Sequence, residues 1–80
     1  KNSGKYSLQS GAFSLQENAE DQKRYLMSGG FKARIAELYR KTQVLYAVRI
    51  GYFTTSQEAE EVGGNIKIKL DLETIVITNK

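Results

Sequence analysis

The chain contains one pattern twice. Gly11-Ala12-Phe13, five residues and Ala19-Glu20 return as Gly51-Tyr52-Phe53, five residues and Ala59-Glu60, an offset of 40 positions in a chain of 80. Each copy follows a short apolar stretch, Tyr6 to Ser10 in the first and Val44 to Ile50 in the second, and each precedes a run with helical spacing. Such a chain reads as a strand-helix-strand unit used twice.

Eighty residues make one domain, and a chain of that size buries only about 60–65% of the surface its unfolded form exposes, which leaves little room for a deep catalytic cleft. The sequence has no Cys and no His. Disulfides, the usual zinc and haem sites, and Cys-His or Ser-His catalytic pairs are therefore excluded. The formal charge of +3 is a mild excess, compatible with an anionic partner and equally with a plain solvated surface. No apolar run approaches the roughly 20 residues of a membrane span, and there is no signal-peptide pattern. The chain opens on Lys1 rather than Met, so it is expected to be a domain cut from a longer protein.

Residues 1–4 read as a polar lead-in. Lys5 to Ser10 alternates, Tyr6 and Leu8 against Ser7 and Gln9, which predicts a strand with one buried face that Gly11 brings to an end. Ser14-Leu15-Gln16-Glu17 fits a capping box, and Leu15, Ala19, Gln22, Lys23, Leu26 and Met27 follow as a narrow helical stripe stopped by Gly29-Gly30. Phe31 to Tyr39 alternates again, with Phe31, Ala33 and Ile35 inward and Lys32, Arg34 and Ala36 outward. Val44 to Ile50 is the best strand, placing Tyr46, Val48 and Ile50 on one face and Leu45, Ala47 and Arg49 on the other. Thr55-Ser56-Gln57-Glu58 repeats the capping box, and Ala59, Val62, Ile66 and Leu70 keep helical spacing although Gly63-Gly64 interrupts it; Asn65 to Leu70 also reads as an alternating strand, and the helix is the preferred reading. Glu73 to Thr78 is β-branched and forms a last strand.

The order is β-α-β-β-α-β, an α+β arrangement in which a four-stranded, mainly antiparallel sheet carries both helices on one face, as in ferredoxin-like and RNP-like folds. The other sheet face is left to water. Parity places Ser7, Gln9, Arg34, Leu45, Ala47 and Arg49 on it, a plausible recognition platform. Phe13, Phe31, Tyr46 and Phe53 read as core, whereas Tyr52 either flanks the platform or packs beside the second helix. Lys67 and Lys69 read as the wet side of that helix. Glu60 and Glu61 diverge along it, so nothing sets two carboxylates about 5–10 Å apart as glycoside hydrolysis requires.

The run from Tyr6 to Phe13, Ala19, Gly30-Phe31, Tyr46 to Phe53 and Ser56 to Ala59, in that order and spacing, resembles the SPOR domain, the sporulation-related repeat of bacterial envelope proteins. The likeness runs from Lys5 to Thr78, and residues 5–80 are taken as the domain. It implies a non-catalytic module that needs no cofactor and binds peptidoglycan glycan strands freed of their stem peptides. Such a module targets a larger protein to the division septum, on the periplasmic or cell-wall side of the envelope. The resemblance also implies that the glycan lies on the open sheet face, which makes Ser7, Gln9, Ala12, Arg34, Leu45, Ala47, Arg49 and Tyr52 the expected glycan-binding residues. Gln9 matches the family's first-strand glutamine, whose amide suits N-acetyl and hydroxyl groups. Ala12 stands where the family has Ser or Ala. Leu45 and Ala47 stand where some members place an aromatic residue and an arginine, with Arg49 following on the same face.

Read without the resemblance, Gln9, Arg34 and Arg49 are ordinary surface residues, exposed arginine pairs contributing only ~0–1 kcal/mol. A second reading is single-stranded RNA binding, since RNA-recognition modules share the strand order. Val44 to Gly51 lacks their basic-glycine-aromatic signature, so no nucleic-acid partner is expected. A third is a protein-interaction module that lost its ligand. No membrane contact is expected of the domain, and nothing in the pattern demands more than a monomer.

Overall fold

The computed structural model describes residues 4–79. Three residues of the expected lead-in, 1–3, lie outside that range. The element order is β1 (Tyr6–Phe13), α1 (Gln16–Ser28), β2 (Ala33–Tyr39), β3 (Val44–Phe53), α2 (Ser56–Leu70) and β4 (Ile75–Thr78). The strands form one sheet in the order β2-β3-β1-β4, with every neighbouring pair antiparallel. The α+β expectation holds.

The core lies between the sheet and the two helices. Leu8, Val48 and Ile50 from the strands meet Ala19 and Leu26 of α1 and Ala59 and Ile66 of α2, all at most 2% exposed. Each fully buried Leu, Ile or Val contributes about 1.5–3 kcal/mol. Ala19 and Ala59, equivalent in the two copies, let each helix approach the sheet closely. Tyr6, Phe13, Phe31, Tyr46 and Phe53 pack around this centre, half-buried.

Two strands run further than their patterns indicate. Gly11 does not end β1: the ladder shifts register between Gln9 and Gly11, leaving Ser10 as an extra residue, and then continues to Phe13. The bulge reverses parity. Beyond it Ala12 pairs with Ala47 and Phe13 with Tyr46. β3 likewise passes Ile50 to Phe53 through a second bulge in which Gly51 takes a left-handed φ of 71°. β2 and β4 are each two residues shorter at their start than the alternation indicates.

The helix starts differ as well. Thr55 caps α2, accepting a 3.2 Å hydrogen bond from the Glu58 amide, while the Glu58 carboxylate accepts one from the Thr54 amide. The box expected over Ser14 to Glu17 does not form. The N-cap of α1 is Leu15, whose side chain has no acceptor. In the 40-residue repeat Leu15 stands where Thr55 does, so Ser14 lies one position too early to cap. α2 continues unbroken through Gly63-Gly64.

Candidate outer-face site

Ladder registers locate each outward residue. Arg34 of β2 faces Arg49 of β3, Arg49 faces Gln9 of β1, and Gln9 faces Ile75 of β4. These four side chains form a row across the whole sheet on the side away from the helices. A second row, Ala36–Ala47–Ala12, lies beside it and is followed by Leu38–Leu45. On the other flank Ser7 faces Ile77. The surface is a shallow shelf whose polar band is bordered by small and aliphatic residues.

Two expectations about accessibility are corrected. Ser7 and Ala47 lie on the outer face, yet both are 0% exposed. Ala47 is hemmed in by Ala36 and Ala12 across the ladders and by Leu45 and Arg49 along its strand. Ser7 lies beneath a polar cluster: its hydroxyl donates to the Gly51 carbonyl at 2.6 Å and accepts from Arg34 Nη2 at 3.0 Å and Asn79 Nδ2 at 2.9 Å. Neither side chain is open to a ligand. Gln9, Ala12, Arg34, Leu45, Arg49 and Tyr52 all keep solvent-accessible surface on or beside the shelf.

Arg34 is held from three sides. Besides Ser7, its Nη1 donates to the Gly51 carbonyl at 3.1 Å, and its Cζ lies 3.9 Å from the centre of the Tyr52 ring, a cation–π contact. Burial lowers its pKa from the ordinary arginine value; Tyr52 raises it and Arg49 lowers it further. It remains charged. Tyr52, 43% exposed, therefore flanks the shelf. Arg49 donates through Nε to Gln9 Oε1 at 3.1 Å, which turns the Gln9 amide donors outward from that pair.

Like charges opposite one another across a ladder are destabilising. Neither Arg34 nor Arg49 has a carboxylate partner among the described residues, whose ion pairs are Arg24–Asp21, Lys67–Asp71 and Lys67–Glu73. Two guanidiniums side by side without a counter-charge make a local positive field on an open surface. The row ends in a recess of ≈ 230 Å³ bounded by Gln9, Ser10, Gly11, Glu73, Thr74 and Ile75, formed because β4 begins at Ile75 while β1 continues to Phe13.

Sequence reasoning missed Ile75, Ile77 and Asn79. The first two were legible from alternation around the core residue Val76; Asn79 carried no signal, since its role depends on reaching Ser7 across 72 positions. The shelf can bind, orient and exclude water, but holds no nucleophile paired with a base. Among the described residues no group of acidic side chains is placed to hold a metal ion, and no helix is long and apolar enough to cross a membrane.

Comparison with known proteins places this geometry in context. The family model for the SPOR domain matches residues 2–78. The solution structure of the peptidoglycan-binding domain of the Bacillus subtilis cell wall lytic enzyme CwlC is similar at 29% identity, with a TM-score of 0.77, covering 100% of this chain and 95% of that one. The RlpA SPOR domain from Pseudomonas aeruginosa is similar at 25% identity and a TM-score of 0.76, covering 90% of this chain and 96% of that one. A putative exported protein from Burkholderia pseudomallei shares the fold, with a TM-score of 0.80 at 18% identity, over 92% of this chain and 15% of that one. No curated protein sequence matches the chain.

Proposed function

The chain belongs to the SPOR domain family, and from that premise we propose that residues 5–80 are a non-catalytic module that binds peptidoglycan glycan strands and brings a larger envelope protein to the division septum. The observation that carries the reading is the row Arg34–Arg49–Gln9, set in register across three strands on the open face with no carboxylate partner among the described residues. A saccharide chain offers hydroxyl and N-acetyl groups to the Gln9 amide and an extended, weakly apolar face to Ile75, Ala12 and Leu45.

The paired guanidiniums favour strands freed of stem peptides. Hydrolysis of the amide that joins the peptide to the muramic acid lactyl group leaves a carboxylate on each such sugar, and a guanidinium binds a carboxylate through charge-assisted hydrogen bonds. An intact strand carries a neutral amide there. The RNA reading finds less support, because such sheets stack two or three bases on aromatic side chains and the aromatic beside this row, Tyr52, already lies against Arg34.

The test is retention of the purified domain on sacculi before and after amidase treatment, beside an unrelated domain of the same net charge. Retention above that control, increased by amidase, is expected. Equal retention of the two domains on both preparations overturns the proposal.

A further inference from the structure

The polar cluster beneath Arg34 ties β1, β2 and the β3 bulge to the chain just before β1 and just beyond β4. The Ser7 hydroxyl of β1 receives Arg34 from β2, donates to the Gly51 carbonyl in the β3 bulge, and receives Asn79 from just beyond β4. Asn79 Nδ2 also donates to the Gly4 carbonyl at 3.2 Å, and the Asn79 backbone N–H donates to the Lys5 carbonyl at 2.6 Å. Ser7 is fully buried, and its single proton and both lone pairs are used.

We propose that Ser7 and Asn79 are positioning residues for the ligand shelf, which hold the Arg34 guanidinium and the Tyr52 ring as a preformed lip on its open face. The inference rests on the glycan reading and extends it to two side chains that a glycan on the shelf does not touch.

The physical reason is the cost of ordering. An arginine on a flat surface samples many rotamers, and fixing it on binding costs that rotamer freedom. Arg34 is already fixed at two of its nitrogens and across its plane. Left-handed Gly51 turns its carbonyl to where both Ser7 and Arg34 reach it. Ser7 keeps that arrangement in one state, since without its hydroxyl Arg34 Nη2 and Asn79 Nδ2 both lose an acceptor. Arg34 must also stand beside Arg49, against their mutual repulsion. A fixed scaffold does what a mobile side chain could not.

The experiment compares Ser7→Ala, Asn79→Ala, Arg34→Ala and the double variant Ser7→Ala/Arg34→Ala in retention by amidase-treated sacculi, with folding followed by circular dichroism. Order at Arg34 is read separately from its guanidinium N–H signals in heteronuclear NMR, which are resolved when the group is held and averaged when it rotates. Both hub variants are expected to stay folded, to average the Arg34 signals and to weaken retention about three- to tenfold. The double variant should bind no more weakly than Arg34→Ala alone, as expected for residues acting as one unit. A general loss of structure would instead add to the Arg34 effect. Resolved Arg34 signals in both hub variants, unchanged retention in both, unchanged retention in Arg34→Ala, or additive losses overturn the inference while leaving the glycan reading standing. If Ser7→Ala does not fold, Asn79→Ala decides alone, because Asn79 is only half-buried. Failure of the native domain to bind sacculi overturns the glycan reading and this inference with it.

Discussion

The two halves of the molecule share a backbone plan and differ where they meet. Gln9 and Arg49 occupy equivalent places in the 40-residue repeat and are also partners across the β1–β3 ladder, so the internal two-fold relation runs between them, through the middle of the shelf. Equivalent positions have diverged into an amide and a guanidinium that bond each other. The bulges have diverged too. In β1 the extra residue is Ser10, bonded to Gln22 of α1, and Gly11 is absent from the left-handed residues; in β3 Gly51 is left-handed and its carbonyl anchors Ser7 and Arg34. A repeated unit supplied the sheet, and small differences between its copies made one face asymmetric enough to have a site.

The largest effect should come from breaking the second bulge. A Cβ at Gly51 would sit 2.5 Å from the Phe53 ring on a φ that L-residues avoid, so Gly51→Ala should cost about 2–3 kcal/mol. At Gly11 the nearest neighbours are 3.1 Å away, the ends of the Gln22 and Phe13 side chains, and Gly11→Ala should cost about 1 kcal/mol or less. Urea unfolding midpoints of the two variants measure the difference, and equal shifts would show the bulges to be interchangeable.

Next come the two residues on the dyad. Arg49→Ala should lower retention on amidase-treated sacculi by roughly tenfold or more, and Gln9→Ala by about three- to tenfold, with little change in thermal midpoint. Equal and negligible losses would sharpen the comparison in the opposite direction, by moving the ligand off the axis.

The helix starts offer a third, smaller contrast. Thr55→Ala removes a formed cap and should cost about 1 kcal/mol, whereas Leu15→Thr supplies the missing one and should gain about 0.5–1 kcal/mol, since Leu15 is 57% exposed and gives up little burial. Thermal unfolding would register both. The smallest contrast lies inside α2. A Cβ at Gly64 meets nothing within 4 Å, so Gly64→Ala should stabilise by about 0.5–1 kcal/mol. At Gly63 it meets Thr74 Oγ1 at 2.8 Å and forfeits that gain.

Much of this architecture was legible in the chain, and the exceptions share a cause. Alternation showed the inward and outward sets of β2 and β3 because period two is a local property of extended backbone. It failed at Gly11, where a bulge takes the place of a strand end, because a bulge is defined by the count on the partner strand. The capping-box motif failed at Ser14, because S-x-x-E occurs one position before the place where the chain can turn into a helix under the sheet.

The amino-acid order alone determined which elements form, their succession, the apolar set that binds them together and the side of the sheet on which Gln9, Arg34 and Arg49 emerge. Only the assembled fold decided which outward residues meet solvent. Ser7 and Gln9 have the same parity two positions apart, but one is sealed beneath Arg34 and Asn79 and the other keeps an open amide. Direction is set within a strand, while accessibility is set by whatever the neighbouring strands and the chain beyond β4 bring over it.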